Sequence, residues 1–142
     1  MPSPLDFPTK GKVKDTRAGE VVFLPAGTNY ELYLKTGSYN GPTNLPVLAL
    51  IRATARKVYT VPSGGNFITP IQGPPRIVQG RVLWADDQTL VVRAGANVIV
   101  ELPAADSAID LDEGPIALNK MVNVTLFPGA TFELATEPAA AK

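Results

Sequence analysis

The stretch GRVLWADDQTLVVRAGANVIVELP, Gly80 to Pro103, decides the fold class, because apolar and polar residues alternate in it between short turn signals. Alternation with a period of two is typical of β-strands, and the intervening residues favour turns. The predicted strands lie near 80–84, 89–93 and 97–102, with turns at 85–88 and 94–96. This stretch therefore predicts a three-stranded meander.

An earlier stretch, GKVKDTRAGEVVFLPAGTNYELYL from Gly11 to Leu34, repeats this outline. Its predicted strands lie near 12–14, 20–24 and 29–35, and Ala26-Gly27-Thr28-Asn29 aligns with Ala94-Gly95-Ala96-Asn97. Identity between the two stretches is low, so chance similarity between two meanders is the alternative to an internal duplication. Duplication is the interpretation we adopt.

The fold class predicted from this pattern is all-β, with two tandem related five-stranded barrel-like or meander units packed together. Fourteen prolines and twelve glycines interrupt the chain too often for long helices. The expected divisions are an N-terminal extension (1–10), a first β unit (11–69), a Pro/Gly-rich linker (70–79), a second β unit (80–135) and a disordered tail (136–142). A unit of this size is marginally stable alone, so the two should pack in contact.

The segment Leu45–Val61, LPVLALIRATARKVYTV, is compatible with two structures. Its central residues have tolerable helix propensity, and Thr43, Asn44 and Pro46 resemble a helix start. Alternation of Arg52, Thr54 and Arg56 with small apolar residues favours a strand instead.

The composition excludes several kinds of chemistry. None of the 142 residues is cysteine or histidine, which removes disulfides, thiolate nucleophiles, imidazole catalysis and ordinary zinc, copper or haem sites. No nucleophile motif is present either, so we expect a protein that is not an enzyme and has no cofactor.

The N-terminus MPSPLDFPTK lacks the apolar stretch of a signal peptide, and no segment is long enough to span a bilayer, which predicts a cytoplasmic location. The formal charge of zero is unevenly distributed, with nine Lys/Arg against four Asp/Glu in residues 1–80 and four against nine in 81–142. Such polarity favours association between subunits, so a homo-oligomer or a protein partner is expected.

An acidic stretch, ADSAIDLDEG, offers oxygen ligands of the kind that calcium prefers: Asp106, Asp110, Asp112 and Glu113. Their spacing does not match the EF-hand loop, and apolar residues interrupt them. A solvated loop that caps a helical turn within 104–112 explains them as well, so no metal is predicted.

Basic and aromatic residues offer a surface for phosphates and bases. The basic residues are Lys10, Lys12, Lys14 and Arg17 near the start of the chain, and Arg52, Arg56 and Lys57 further on. Strict alternation would place Tyr59 on the face of Lys57 and away from Arg52 and Arg56. Zero net charge makes nucleic-acid binding the third functional interpretation.

The order glycine, strand, turn, strand, glycine, strand, followed by a loop and a V-x-V strand that ends in Phe-Pro-Gly, resembles the small barrels of the OB-like and TOBE type. Duplicated TOBE-like units are similar to the molybdate-binding Mop proteins, which bind oxyanions between packed barrels. The residues before Gly11 are Phe7-Pro8-Thr9-Lys10 and not the Ser-Ala-Arg-Asn of that family, so no site residue is transferred.

These observations predict a non-enzymatic β module for binding or self-assembly. The alternative is a protein that binds a small ligand or oxyanion between the two units, and the third is single-stranded nucleic-acid binding. Neither a membrane nor a cofactor is part of these expectations.

Overall fold

The computed structural model describes residues 4–37, 39, 41–62, 64–102, 109–110 and 116–135. These residues form an all-β structure whose one helical element is a 3₁₀ turn, Pro4–Asp6. Within them, no helix has the length and apolar character needed to cross a membrane. The predicted tail, 136–142, lies outside the described residues.

Within the described ranges, twelve strands form one mixed sheet. They are β1 (Thr9–Arg17), β2 (Glu20–Pro25), β3 (Glu31–Lys35), β4 (Pro46–Thr60), β5 (Phe67–Thr69), β6 (Gln72–Gly73), β7 (Ile77–Ala85), β8 (Thr89–Arg93), β9 (Asn97–Glu101), β10 (Ile109–Asp110), β11 (Met121–Leu126) and β12 (Thr131–Leu134).

Both predicted meanders are present, as β1-β2-β3 and β7-β8-β9 with antiparallel pairing throughout. On β1, buried Thr9 and Val13 alternate with exposed Lys10, Lys12 and Lys14. This period of two buries one face of the strand and leaves the other to solvent.

The predicted turn before β8 is stabilised by an aspartate side chain. Asp86 Oδ1 accepts hydrogen bonds from the backbone N–H groups of Gln88 and Thr89, each 2.8 Å long. Aspartate is favoured in turns for this reason, since its side chain satisfies local backbone donors.

The segment that sequence left open between helix and strand is the fifteen-residue strand β4. It pairs with β1 through residues 46–49, with β12 through 49–52, with β9 through 51–54 and with β11 through 55–60. Helix propensity is outweighed here, because strands on both sides satisfy the backbone groups of β4.

The strand pairings form two closed cycles that share β4. In the first cycle β1 pairs with β2, β2 with β3, β3 with β12, β12 with β4, and β4 with β1. In the second, β7 pairs with β8, β8 with β9, β9 with β4, β4 with β11, and β11 with β7. The β3–β12 and β4–β9 pairings are parallel, which makes the sheet mixed.

Each cycle is completed by a strand from the other half of the chain. The later residues of β4 continue from the first cycle into the second, while β12 follows β11 in sequence but pairs with β3 and β4 in the first cycle. One cluster of buried side chains accordingly contains residues of both cycles, among them Val13, Phe23, Ile51, Val92 and Val124.

A smaller apolar cluster contains Leu50, Val91 and Ile99. Trp84 and Phe7 are partly buried against it. Trp84 therefore contributes part of its large apolar area to the packing of this small cluster.

The predicted linker, 70–79, contains β6 and the first residues of β7. The short strand β6 pairs with β3, and β5 pairs with β7, so strands pair across the predicted division. The division of the chain into units stays a prediction.

Candidate functional site

A groove lies where the two cycles meet, and Arg52 of β4 is at its centre. It consists of two adjoining depressions of about 470 Å³ and 580 Å³, both lined by Arg52 and Thr131. The first also contacts Glu101 at the end of β9, and the second contacts Lys35 at the end of β3. We call this feature the Arg52 groove.

Three strands bring polar side chains into one row across the groove. Lys35 is the cross-strand partner of Thr131, and Thr131 is the partner of Arg52. Paired residues on neighbouring strands share a face, and neighbouring strands lie about 4.8 Å apart, so the Cα atoms of Lys35 and Arg52 are about 10 Å apart. Lys35 and Thr131 are exposed and Arg52 is half-buried, so all three groups are accessible to a ligand.

An aromatic side chain forms one wall of the groove. Phe127 is 48% exposed, although its backbone N–H is fixed by a 2.9 Å hydrogen bond to the Thr54 carbonyl oxygen. The turn that follows ends at Ala130, whose carbonyl oxygen accepts a 2.9 Å hydrogen bond from the Lys35 N–H. These bonds connect the loop 127–130 to both cycles, so the exposed ring stands on an ordered backbone.

Carboxylates already stand beside the cations of the groove. Arg52 Nη2 lies 3.5 Å from Glu133 Oε1, and the two side chains are 41% and 61% exposed. An exposed ion pair of this kind contributes about 0–1 kcal/mol, so an anionic ligand can replace Glu133 at low cost. Glu101 lines the other depression.

Aromatic packing supports the floor of the groove. Phe132 lines it and packs against Phe23 and Tyr39, with ring centroids 5.4 Å and 5.6 Å away. The Tyr39 hydroxyl donates a hydrogen bond to the Pro42 carbonyl oxygen. Burial raises the pKa of the Tyr39 phenol above its ordinary value, because desolvation disfavours the phenolate.

The sequence-predicted nucleic-acid residues Arg52, Arg56 and Lys57 all lie on the solvent side of β4. Strict alternation was wrong, because the β4–β11 register shifts between Thr125 and Leu126 and leaves Arg56 as a bulge residue. Ala55 and Val58 are buried on either side of it. The bulge therefore returns Lys57 and Tyr59 to the face that Arg52 and Arg56 occupy.

The cations of β1 lie elsewhere. Lys14 pairs with Glu31 at 3.1 Å, and Arg17 lies 3.5 Å from Glu20 and 5.0 Å above the Tyr33 ring. Lys10 and Lys12 line shallow apolar depressions next to Pro46. The structure thus separates the predicted basic residues into two surfaces.

The acidic candidates are not brought into a described cluster. Asp106, Asp112 and Glu113 lie outside the described residues, and Asp110 is on β10, where its backbone pairs with Tyr59 of β4. Among described side chains, no three His, Cys, Asp or Glu residues are grouped so that they could hold a metal ion.

The charge polarity of the sequence is not a polarity of the two cycles. Lys57 pairs in the second cycle, Glu133 pairs in the first, and Arg52 pairs in both, with Thr131 and with Ile99. The cations of the first half of the chain are therefore shared between the two cycles, and the carboxylates of the second half are shared as well, since Glu101 pairs in the second cycle. The electrostatic argument for head-to-tail association is weakened accordingly.

Lys35, Phe127 and Thr131 were not predicted from the sequence as site residues. The Phe-Pro-Gly turn at 127–129 was the available signal, since it places an aromatic residue immediately before a turn. Their proximity to Arg52 depends on strand pairings between distant parts of the chain, which alternation within one segment does not reveal.

Comparison with known proteins gives no relative: no protein-family model, no curated protein and no solved structure matches the chain. A function must therefore be argued from the groove and the surrounding surface.

Proposed function

We propose that this protein is a non-enzymatic binding module that holds an anionic ligand in the Arg52 groove. The observation that carries the proposal is the cross-strand row of Lys35, Thr131 and Arg52 between the two cycles. An arginine guanidinium presents paired donors that match carboxylate and phosphate oxygens, and a hydroxyl and an ammonium beside it extend the contact.

The wall and size of the groove support a ligand larger than a simple ion. Its two depressions lie within the volume range of small-molecule sites. Phe127 offers an apolar surface beside Arg52, which suits an anion that carries a ring or a chain.

The complete lack of histidine and cysteine supports a binding role over a catalytic one. The described groove contains carboxylates that stand beside cations, an arrangement typical of recognition surfaces. Burial or a like-charge partner would be needed to adapt these carboxylates for proton transfer.

The architecture we propose is a pair of related five-stranded barrels of the OB-like or TOBE-like type that exchange their fifth strands. Two glycines support it, since a Cβ at Gly11 or Gly80 would overlap a backbone carbonyl of the following strand. A β-bulge follows each glycine at the same spacing, after Val13 and after Val82.

The parallel pairings at the groove also support a relation between the two proposed barrels, because each barrel has one such pairing at the same place. Lys35 at the end of β3 pairs with Thr131, and Glu101 at the end of β9 pairs with Thr54. In this correspondence Leu32 takes the place of Val98, since Leu32 pairs with Phe23 as Val98 pairs with Val92. The residue before each of them then aligns Glu31, and not Asn29, with Asn97.

The test is a thermal-shift titration with phosphate, molybdate, citrate and a nucleoside monophosphate. We expect at least one anion to raise the melting temperature of the native chain and to lose this effect in Arg52→Ala. Glu133→Gln should strengthen the response, because it removes the resident carboxylate. Lys12→Ala, which removes an exposed cation outside the groove, is the matched control; an equal loss in that variant would contradict the site.

Self-association is the second candidate, and an apolar surface favours it. A depression of about 450 Å³ is lined by the apolar residues Pro46, Val47, Leu48 and Ala135 together with Lys10, and the neighbouring Leu134 is 40% exposed. A contact made here would persist at high salt, whereas the charge-driven contact expected from the sequence would weaken. Light scattering across salt concentrations, with Leu134→Ser as the variant, separates these cases; a monomer throughout would contradict both.

A further inference from the structure

We infer that the anionic ligand is a single-stranded nucleic acid, bound from the Arg52 groove along β4 to Tyr59. The inference rests on the proposed function, because the same groove receives one end of the strand. It deepens that function by naming a ligand that continues beyond the groove.

The bulge at Arg56 creates a row of cations on one exposed surface. Arg52, Arg56 and Lys57 all lie on the solvent side of β4, and Lys35 continues the row across β12. A strand rises about 3.3 Å per residue, so Arg52 and Lys57 are about 16 Å apart along β4. Cations distributed over such a length fit several successive phosphates better than a single ion.

The middle of this row carries cations that have no ion-pair partner among the described residues. Arg56 and Lys57 are in none of the ion pairs found there, and the uncharged Thr125 of β11 pairs with Lys57. The described carboxylates lie toward the two ends of the row: Glu133 forms an ion pair with Arg52, Glu20 pairs with Lys35, and the backbones of Glu101 and Asp110 pair with Thr54 and Tyr59. The surface around Arg56 and Lys57 is therefore positive.

Aromatic rings stand near both ends of the row and distinguish bases from other anions. Phe127 lines the groove with Arg52 and is 48% exposed. At the other end, Lys57 Nζ lies 5.7 Å from the centroid of the half-buried Tyr59 ring. Surfaces that bind single-stranded nucleic acids combine cations, which contact the phosphates, with aromatic rings, on which the unpaired bases stack. An acidic peptide would make no use of these rings.

The experiment is fluorescence anisotropy with labelled oligothymidylate and oligouridylate of about 12 nucleotides, a length within the site sizes of small single-strand-binding folds. The native chain should bind at low salt and lose affinity as salt rises. Arg56→Ala with Lys57→Ala should reduce the slope of log K against log salt by about 1.4, because each single-strand phosphate contact contributes about 0.7. The double variant Lys10→Ala with Lys12→Ala makes the same change in net charge on the other surface and should leave that slope unchanged.

A third variant tests stacking. Phe127→Ala should weaken oligonucleotide binding about tenfold or more while leaving the thermal response to phosphate intact. No oligonucleotide binding at low salt would overturn the inference, as would equal losses in the two double variants or equally tight binding of polyglutamate. A phosphate response that depends on Arg52 without oligonucleotide binding would overturn the inference and leave the proposed function standing.

Discussion

At the scale of single residues, two glycines limit what the chain accepts. Gly11 and Gly80 lie where adjacent strands approach so closely that a Cβ would overlap the carbonyl oxygens of Leu24 and Arg93. The backbone cannot move away easily, because both positions pair within the sheet. Their role is therefore steric and independent of the charges around them.

We expect Gly80→Ala to lower the free energy of unfolding by about 2–3 kcal/mol, the usual cost of overpacking at a tightly packed site. Urea denaturation of the native and variant chains measures this difference. Gly37→Ala is the control, since no atom of the described residues, apart from its chain neighbours, lies within 4 Å of the added Cβ, and it should change stability by less than about 1 kcal/mol. Equal effects of the two substitutions would show that the close approach at Gly80 is unimportant.

Because the phenol of Tyr39 is partly buried, we expect the folded protein to lose stability at alkaline pH. Desolvation raises the pKa of its phenol in the folded protein, so the neutral form is favoured by folding. The stabilisation is complete below the ordinary phenol pKa of about 10 and is lost as the pH rises through the higher folded value. Above pH 10, the melting temperature of Tyr39→Phe should fall less steeply with pH than that of the native chain. An equally steep fall would show that ionisation of Tyr39 does not cause the alkaline loss of stability.

At the scale of elements, alternation and turn residues predicted the two meanders closely. Predicted strands at 20–24 and 89–93 correspond to β2 and β8, and the turn at Asp86 has the expected hydrogen bonds. These features depend on local residues alone. The bulge at Arg56 was not predictable in this way, because it is defined by the register of β4 against β11.

The side chain of Tyr30 links elements that are far apart in the sequence. The Tyr30 hydroxyl accepts a 3.0 Å hydrogen bond from the N–H of Ile68 on β5 and donates one of 3.4 Å to the Ala94 carbonyl oxygen after β8. It connects the loop before β3 with β5, which pairs with β7, and with the turn after β8.

We expect Tyr30→Phe to destabilise the protein by about 1–2 kcal/mol, because it leaves the Ile68 N–H without its acceptor. Amide exchange at Ile68 should accelerate more than exchange in β2. Tyr33→Phe is the matched control, since the Tyr33 ring contacts the Arg17 guanidinium and no hydrogen bond of its hydroxyl is found within the described part of the chain. Unchanged exchange at Ile68 in Tyr30→Phe would contradict the role of the hydroxyl.

At the scale of the whole molecule, the long-range pairings of β4 and β12 determine both the core and the site. The sequence indicated two similar β segments in contact, but not that β4 and β12 would cross between them. Strand pairing over long sequence separation depends on packing of the complete chain, which one sequence does not encode in a local pattern. The local pattern of β4 was enough to identify Arg52 as a candidate. Lys35 and Thr131 were not predicted, because only long-range strand pairing brings them next to Arg52.

We expect the two halves to depend on each other for folding. A fragment of residues 1–69 would contain β4 without β9, β11 and β12, and a fragment of residues 70–142 would contain β12 without β3 and β4. Neither should show a cooperative transition alone, whereas a mixture should regain the near-ultraviolet circular dichroism of Trp84. Cooperative unfolding of the isolated 1–69 fragment would contradict this dependence.

The crossing of β12 into the first cycle also affects the order of events on the ribosome. The first three strands can pair as soon as they emerge, but the position between β3 and β4 is filled only after residues 131–134 have been synthesised. At about 5–20 residues per second, the emerging chain would expose an incomplete first cycle for several seconds while the second half is made. Translation speed and nascent-chain chaperones should therefore affect the yield of this protein more than they affect proteins whose domains close in sequence order.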